Sequence, residues 1–376
     1  MTTREIGTAG PGTAEFRTAV RAWLDTHDLS PGDDHSFDAQ VAQLSRVRRA
    51  LFDADWMRYG WPTEVGGLGG AAVLRAVLGE EVATRNLAEP GIYSMIEVLA
   101  PTVISYARPE LAADMVPRLL NGDEQWCQGF SEPGSGSDLA SLSTRAEPHT
   151  GDTWIINGQK VWTSLAQFAA RCVLLTRTGP GHEGITAFFV DMDTPGITVR
   201  PLRTMHGVDE FAEVWFDDVV VPADRMLGRP GDGWRVAMDL LPHERSTCFW
   251  HRIAYLFSIL DDLVQHSDPA DDLDLGAAYL AAHTVRSRSF ATQQRLGAGG
   301  RLGPETSIDK VLLATAEQQL FDTCRDLRPG AIEWTEPVLR SEYLYSRAAT
   351  IYGGTAEIQR NIIARRLLDL GKGDSG

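Results

Sequence analysis

The stretch that decides the fold is Gln128-Gly129-Phe130-Ser131-Glu132-Pro133-Gly134-Ser135-Gly136-Ser137-Asp138, together with Asn157-Gly158-Gln159-Lys160-Val161-Trp162-Thr163-Ser164 further on. Small residues let a backbone come close to a flat or anionic ligand. The hydroxyls of Ser131, Ser137 and Ser164 and the indole of Trp162 add donors and a stacking face. Taken singly, each segment also reads as an ordinary glycine turn. Both lie where the texture, from residue 125 to 225, is short runs rich in Val, Ile, Phe, Trp and Thr between Gly, Asp and Pro. These are Thr153 to Ile156, Cys172 to Arg177, Thr186 to Asp191, Ile197 to Leu202 and Val214 to Val221. Such runs predict a small antiparallel β-domain, a sandwich or barrel.

On either side the spacing is helical. Phe16, Val20, Trp23 and Leu24 fall on one face, residues 14 to 120 read as helices, and Trp61-Pro62-Thr63-Glu64-Val65-Gly66-Gly67 breaks them. Helical spacing returns at Gly233 and is interrupted at Gly297 to Gly303 and at Pro329-Gly330. The expected fold class is α+β, with a helical domain over residues 1–122, a central β-domain over 123–228 and a helical bundle over 229–376. A chain of 376 residues is long enough for two or three packed modules.

Apolar residues make up 43% and charged residues 23%, ordinary values for a folded protein. A net charge of -16 excludes nucleic acid and anionic membrane as expected partners, although a local Arg cluster could still hold a phosphate-bearing ligand. There is no apolar run of about 18 residues, and the opening Met1-Thr2-Thr3-Arg4-Glu5-Ile6-Gly7 lacks the pattern of a signal peptide, so the expected location is the cytoplasm. Cys127, Cys172, Cys248 and Cys324 form no CxxC pair and have no His at metal-ligand spacing, which reads as reduced, mostly buried thiols.

A second constellation is Ile351-Tyr352-Gly353-Gly354-Thr355-Ala356-Glu357-Ile358-Gln359-Arg360, leading into a helix with an apolar stripe of Ile358, Ile362, Leu367 and Leu370. Two glycines before a Thr at a helix start leave N–H groups free to face an anion or a polarised oxygen. In a third, Ala237, Leu240, Leu241, Glu244 and Cys248 share a helix face, so a carboxylate interrupts an apolar stripe. Burial would raise the pKa of Glu244, as a base working near neutral pH requires. A buried Glu paired with an Arg of a neighbouring helix is the other reading. Pro242 is expected to bend this helix. His243-Glu244-Arg245-Ser246-Thr247 is not HExxH, Gly129 to Pro133 is not GxSxG, and no Walker loop or GxGxxG opens a βαβ unit. The stretches Arg286 to Arg288 and Arg365-Arg366 read as solvated helix faces.

The first two segments together, in a β-domain between helical ones, resemble the flavin-binding signature of acyl-CoA dehydrogenases. The likeness spans nearly the whole chain, including Gly60-Trp61-Pro62 with its following Gly66-Gly67, and is closest at Tyr352 to Arg360. The resemblance implies FAD, with Phe130, Ser131, Trp162 and Ser164 at the isoalloxazine ring. Gly136 and Ser137 would lie along the cofactor and the pantetheine arm, Thr355 and Glu357 would contact FAD, and Ser137 and Arg245 would meet the substrate.

Many members carry the catalytic Glu just after this Tyr, where this chain has Gly353. A minority place it on a helix after the β-domain, and in that register it falls on Glu244. Glu244 would then remove the α-proton of an acyl-CoA or acyl-carrier thioester while the β-hydrogen leaves as hydride, giving a trans-2-enoyl thioester. The Gly353 N–H and the flavin's ribityl hydroxyl would hold the carbonyl oxygen. By analogy this placement goes with branched, bulky or ring-bearing acyl groups.

The resemblance further implies an electron acceptor such as electron-transfer flavoprotein. It also implies a homo-oligomer or an α2β2 assembly with a related chain, as in the actinobacterial sterol-degrading type. Two family elements for the adenosine half of FAD are not intact. His266 to Leu275 is an acidic, Pro-interrupted loop where Arg-x-x-Phe-Gly is expected, and Arg328-Pro329-Gly330 stands for a Gly-Gly-x-Gly turn. A silent partner subunit, an oxidase and a monooxygenase on the same fold are the alternative readings.

Overall fold

The computed structural model describes residues 12–268 and 272–371. The opening segment read for a leader lies outside them. Chain order is helical, then β, then helical, as the change in periodicity predicts. The first layer holds α1 (Thr13–Leu24), α2 (Phe37–Asp53), α3 (Val73–Thr84), α4 (Pro90–Tyr106) and α5 (Pro109–Leu120). α1 buries Phe16, Val20 and Leu24 at steps of four, while Trp23 is half-buried and stacks on His27 at 4.1 Å. α4 starts where the Glu89 carboxylate accepts the Ile92 N–H at 2.7 Å. Its first residue, Pro90, sits where a missing N–H leaves no bond unmade.

Eight strands make one sheet: β1 (Gln125–Gly129), β2 (Arg145–His149), β3 (Thr153–Ser164), β4 (Ala169–Arg177), β5 (Ile185–Asp191), β6 (Ile197–Leu202), β7 (Phe211–Pro222) and β8 (Met226–Leu227). The order is β6-β7-β3-β2-β4-β5-β8, with β1 paired to β4. Pairing is antiparallel except where β1 and β2 meet β4. Alternate residues point to opposite faces. Val173, Leu175 and Phe189 therefore join the core of the N-terminal helices, while Cys172, Leu174, Phe188 and Val190 close a separate apolar layer.

After the sheet, α6 (Gly233–His243), a π-helical turn (Glu244–Cys248) and α7 (Phe249–Gln265) run without a break. Pro242 offers no N–H to the Met238 carbonyl, and the chain answers by opening the next turn to i→i+5 bonding rather than by a simple bend. The apolar stripe survives the turn: Ala237 and Leu240 lie in the core of the N-terminal helices, and Leu241 and Cys248 pack against it. α8 (Asp272–Gly297) packs beside α9 (Thr306–Leu327), and α10 (Pro337–Ser346) and α11 (Ala356–Arg366) close the described chain.

Three expectations are corrected here. The segment 266–275 is helical from Asp272, because Leu275 is buried in the C-terminal core. Leu367 and Leu370 lie beyond α11 and are exposed, so the stripe ends with the helix. Arg286 is no solvated residue. Its guanidinium binds Glu80 of α3 and lies over the rings of Trp250 and Phe257, contacts that bring in residues far away in the chain.

Glu80 and its neighbour Glu81 form the knot of the helical layers. Arg17 reaches both, at 2.7 and 2.6 Å, Arg21 and Arg85 add bonds to Glu81, and the Trp250 indole donates to Glu80 at 3.2 Å. Burial alone would push both carboxyls up, but the guanidiniums outweigh it and hold them below the usual range. All four free cysteines are reduced thiols, three of them buried. No helix among the described residues is long and apolar enough to cross a membrane. Glu81→Gln should lower stability by about 3 kcal/mol, since it strands cations against a buried site, whereas Arg21→Ala, at the exposed rim, should cost under about 1 kcal/mol. Urea midpoints check both. Because the folded pKa values are depressed, this stability is in place above about pH 4.5 and drains as pH falls through the folded values.

Candidate active site

Two loops and one helical turn carry the residues expected at the site, and the structure brings the helical turn onto the second loop. The first loop, residues 130 to 138, is pinned from below by a buried ion pair. Lys160 Nζ lies 2.8 Å from Glu132 Oε1 and 3.1 Å from the Phe130 carbonyl, and Glu132 also accepts the N–H groups of Ser143 and Thr144. For Glu132, burial is outweighed by Lys160 and these donors, which hold it down at about 2. For Lys160, burial dominates and lowers it to about 8 although its partner opposes. The pair is charged: Lys160 donates to Glu132 and to the Phe130 carbonyl, and Glu132 accepts from Lys160, Ser143 and Thr144.

Above this anchor the loop is open. Gly134 and Gly136 have an ordinary φ and no atom within 4 Å of where a Cβ would sit. Neither backbone conformation nor packing within this chain requires glycine there, so close approach of a ligand is the remaining physical reason. Ser131 is half-exposed and Ser137 exposed, while the Phe130 ring is buried in the core. Trp162 stands 59% exposed at φ 59°, held edge-on to Phe211 at 5.9 Å. A large aromatic in a left-handed conformation and turned to solvent is unusual, and its exposed face is available to a planar ligand. Ser164, two residues on, is half-exposed at the end of β3.

The second loop is Tyr352-Gly353-Gly354-Thr355. Gly353 and Gly354 take φ 61° and 88°, and Thr355 caps α11 by accepting the Ile358 N–H at 3.2 Å. Among the described residues no acceptor takes the N–H groups of Gly353, Gly354 or Thr355. Glu357 is on the exposed side of α11, 3.8 Å from Arg360. The loop's carbonyls are held from behind, a support that sequence reasoning missed. Gln359, fully buried, donates to the carbonyls of Gly353 and Gly354, and Arg245 Nε donates to that of Gly353 at 3.2 Å. Arg245, expected at the substrate, is thus a buried support of this loop. Lys310 Nζ donates to the carbonyls of Ala349 and Tyr352. The clue to Lys310 was available: Lys310, Leu313, Glu317, Leu320 and Cys324 share one face of α9, so a cation interrupts an apolar stripe.

The π turn brings Glu244 onto this loop. Its Oε1 lies 2.9 Å from the point a Cβ on Gly353 would occupy. The carboxylate therefore fills the space that a side chain at 353 would use. Among the described residues no hydrogen bond or ion pair holds it. Burial pushes its pKa up, and the charges of Arg245 and Lys310 only partly oppose that. The reading of Glu244 as a structural acid locked to an arginine is not what the geometry shows, since Arg245 turns to the Gly353 carbonyl instead.

Three models of acyl-CoA dehydrogenase domains match: N-terminal over residues 11–123, middle over 127–219 and C-terminal over 231–368. This chain belongs to the acyl-CoA dehydrogenase family. It is an oxidoreductase of a family of FAD-dependent flavoproteins that dehydrogenate acyl-CoA. It is similar to acyl-CoA dehydrogenase IpdE1 of Mycobacterium tuberculosis, 38% identical over 95% of this chain and 97% of that one. Among solved structures it is similar to the ChsE4-ChsE5 complex of M. tuberculosis, with TM-score 0.79 and 26% identity over 96% of this chain and 98% of that one. A variant of the Tcur3481-Tcur3483 steroid enzyme superposes with TM-score 0.83 at 24% identity over 96% of this chain and 99% of that one.

Gly353→Ala should destabilise the protein by about 1 kcal/mol, the cost of a left-handed alanine. It should also drive the Glu244 carboxylate off the loop. A thermal midpoint and a crystal structure of the variant check the two effects separately.

Proposed function

We propose that this chain dehydrogenates an acyl thioester between its α and β carbons, with Glu244 as the base. The observation that carries the reading is the half-buried Glu244 carboxylate lying over Gly353: among the described residues neither it nor the N–H groups of Gly353, Gly354 and Thr355 beside it has a hydrogen-bond or ion-pair partner.

The residues present fit FAD. Trp162 offers a stacking face, Ser131 and Ser164 half-exposed hydroxyls, and the open backbone at Gly136 and Ser137 a path for the rest of the cofactor and the pantetheine arm. Phe130 contributes mainly main chain, while Thr355 and Glu357 stand at the start of α11. Bound FAD would supply a two-electron acceptor for the hydride.

The chain's own residues do the rest. The α-hydrogen of a thioester is weakly acidic, so negative charge growing on the carbonyl oxygen must be met by donors already in place. The Gly353 N–H is such a donor, and it needs no side chain to serve. Glu244 takes the α-proton on a carboxylate oxygen, negative charge builds transiently on the carbonyl oxygen, and as the β-hydrogen leaves with its electron pair the α C–H electrons become the second bond between Cα and Cβ. The product is a trans-2-enoyl thioester. A half-buried base of raised pKa suits this step, because its proton affinity rises without loss of access.

Assembly with a second chain, identical or related, fits the surface of the C-terminal domain. Leu273, Leu280 and Phe290 of α8, and Trp334, are at least half exposed. Relatives crystallised as two-chain complexes support the related-chain form. Arg328, in the place of the usual glycine turn, is spent on Asp262 and Glu336, which leaves contacts to the adenosine half for the second chain to supply. An electron-transfer flavoprotein would then reoxidise the enzyme.

Glu244→Gln should purify yellow and folded, yet lose about 10²- to 10⁴-fold in turnover and fail to bleach with thioester. A variant that still turns over at the parent rate would refute the assignment. In the parent, kcat should climb with pH through a limb lying above the ordinary carboxylate range, since only the deprotonated Glu244 accepts a proton. A rate profile flat from pH 5 to pH 8 would contradict that (~3 pH units, spanning the range in which raised acids titrate).

A further inference from the structure

We infer that Lys310 is a positioning residue for this reaction, gripping the Tyr352 carbonyl so that the Tyr352–Gly353 peptide presents a fixed and polarised N–H to the thioester oxygen. The inference rests on the reading of Glu244 and Gly353 given above.

Lys310 is 1% exposed and has no carboxylate within ion-pair distance among the described residues. A buried cation without a direct ion pair is costly to desolvate, so it calls for a reason. Its ammonium makes two bonds, to the Ala349 carbonyl and, at 2.6 Å, to the Tyr352 carbonyl, and it sits 4.4 Å from the centre of the Tyr352 ring.

The Tyr352 carbonyl and the Gly353 N–H are two ends of one conjugated peptide group. A cation on the oxygen draws electron density from the nitrogen, and the N–H becomes a stronger donor. Chained hydrogen bonds strengthen one another by perhaps 10–30% per bond, and charged donors make bonds about twice as strong as neutral ones. The orientation matters as much. Gly353 and Gly354 at φ 61° and 88° have no side chains to fix them, and each carbonyl around them has its own clamp: Lys310 on Tyr352, Arg245 and Gln359 on Gly353, Gln359 on Gly354. Such a donor needs no reorganisation when charge develops. The same cation faces Glu244, and so favours the charged form of the base.

The sequence supplies a direct readout. Tyr-Gly occurs at Tyr59-Gly60 and Tyr352-Gly353 and nowhere else. With tyrosine labelled at its carbonyl carbon and glycine at nitrogen, the whole protein therefore gives two linked carbonyl–amide signals. Gly60, bonded to the Gly69 carbonyl at 2.7 Å, serves as the internal control. In Lys310→Met the Tyr352–Gly353 signal should move and the Gly60 signal should stay. Turnover of the FAD-loaded enzyme should fall roughly 10- to 100-fold, less than the loss of a whole donor, with KM little changed, and Lys310→Arg should recover most of it. An unmoved Gly353 signal, or turnover within about twofold of the parent, which is within ordinary context variation, overturns the inference.

Should Lys310→Met not fold, the parent protein decides. Burial lowers Lys310 to about 8, against the pull of Glu244 and Glu317 and with Arg245 assisting. The groups facing it are Glu244 and Arg245 from the π turn, Glu317 on α9, and Tyr352. The Gly353 signal should titrate with a midpoint near 8 while Gly60 does not, and a flat Gly353 signal rejects the role. If Glu244→Gln keeps its turnover while Lys310→Met loses it with a shifted Gly353 signal, the base assignment fails and the role of Lys310 stands.

Discussion

The site depends on one packing relation: a carboxylate from a helix occupies the volume that glycine leaves empty in a loop. Gly353 has no side chain and a left-handed backbone, and Glu244 arrives from the π turn to lie where a side chain would start. The two residues are 109 positions apart, yet each makes sense only with the other present. Any side chain at 353 would contend with Glu244 for the same space.

Holding that relation requires rigid loops made of residues that are not rigid themselves. Glycine-rich backbone has much conformational entropy to lose, so its fixed form must be supported elsewhere. The chain uses the same device twice. Lys160 is buried under the first loop with its ammonium on the Phe130 carbonyl, and Lys310 is buried under the second with its ammonium on the Tyr352 carbonyl. Lys160 is neutralised by Glu132, whereas among the described residues Lys310 makes no direct ion pair and feels Glu244 and Glu317 at longer range. The difference in placement fits the proposed chemistry: the cation without a direct ion pair lies behind the loop where negative charge would develop.

Much of this was legible in the sequence, and the parts that were not share a cause. Periodicity marked α1, the strands from β3 to β7 and the helix of Glu244, because local burial imposes a local repeat. The glycines at 134, 136, 353 and 354 were legible because few physical reasons require glycine. The β1 and β2 strands were missed: Gln125–Gly129 and Arg145–His149 carry few β-formers and take their geometry from β4 and β3. The π turn was read as a bend, since Pro242 announces a lost hydrogen bond but not how the chain absorbs it. Arg286 was read as solvated because Glu80, its partner, is 206 residues away. Arg245 was expected at the substrate, and only the fold shows it turned to the back of the Gly353 loop.

A base on a helix, as proposed for Glu244, is held differently from one on a loop. A glutamate at 353 would rise from glycine-rich backbone. Glu244 stands instead on a helical rod that is continuous with α6 and α7 and packs against α4. Its backbone is therefore fixed by the cores of two helical layers, and its reach is set by three side-chain torsions alone. On the proposed mechanism the α-hydrogen must therefore be brought to the carboxylate by the way the acyl group is bound, because the helix cannot carry the carboxylate to it.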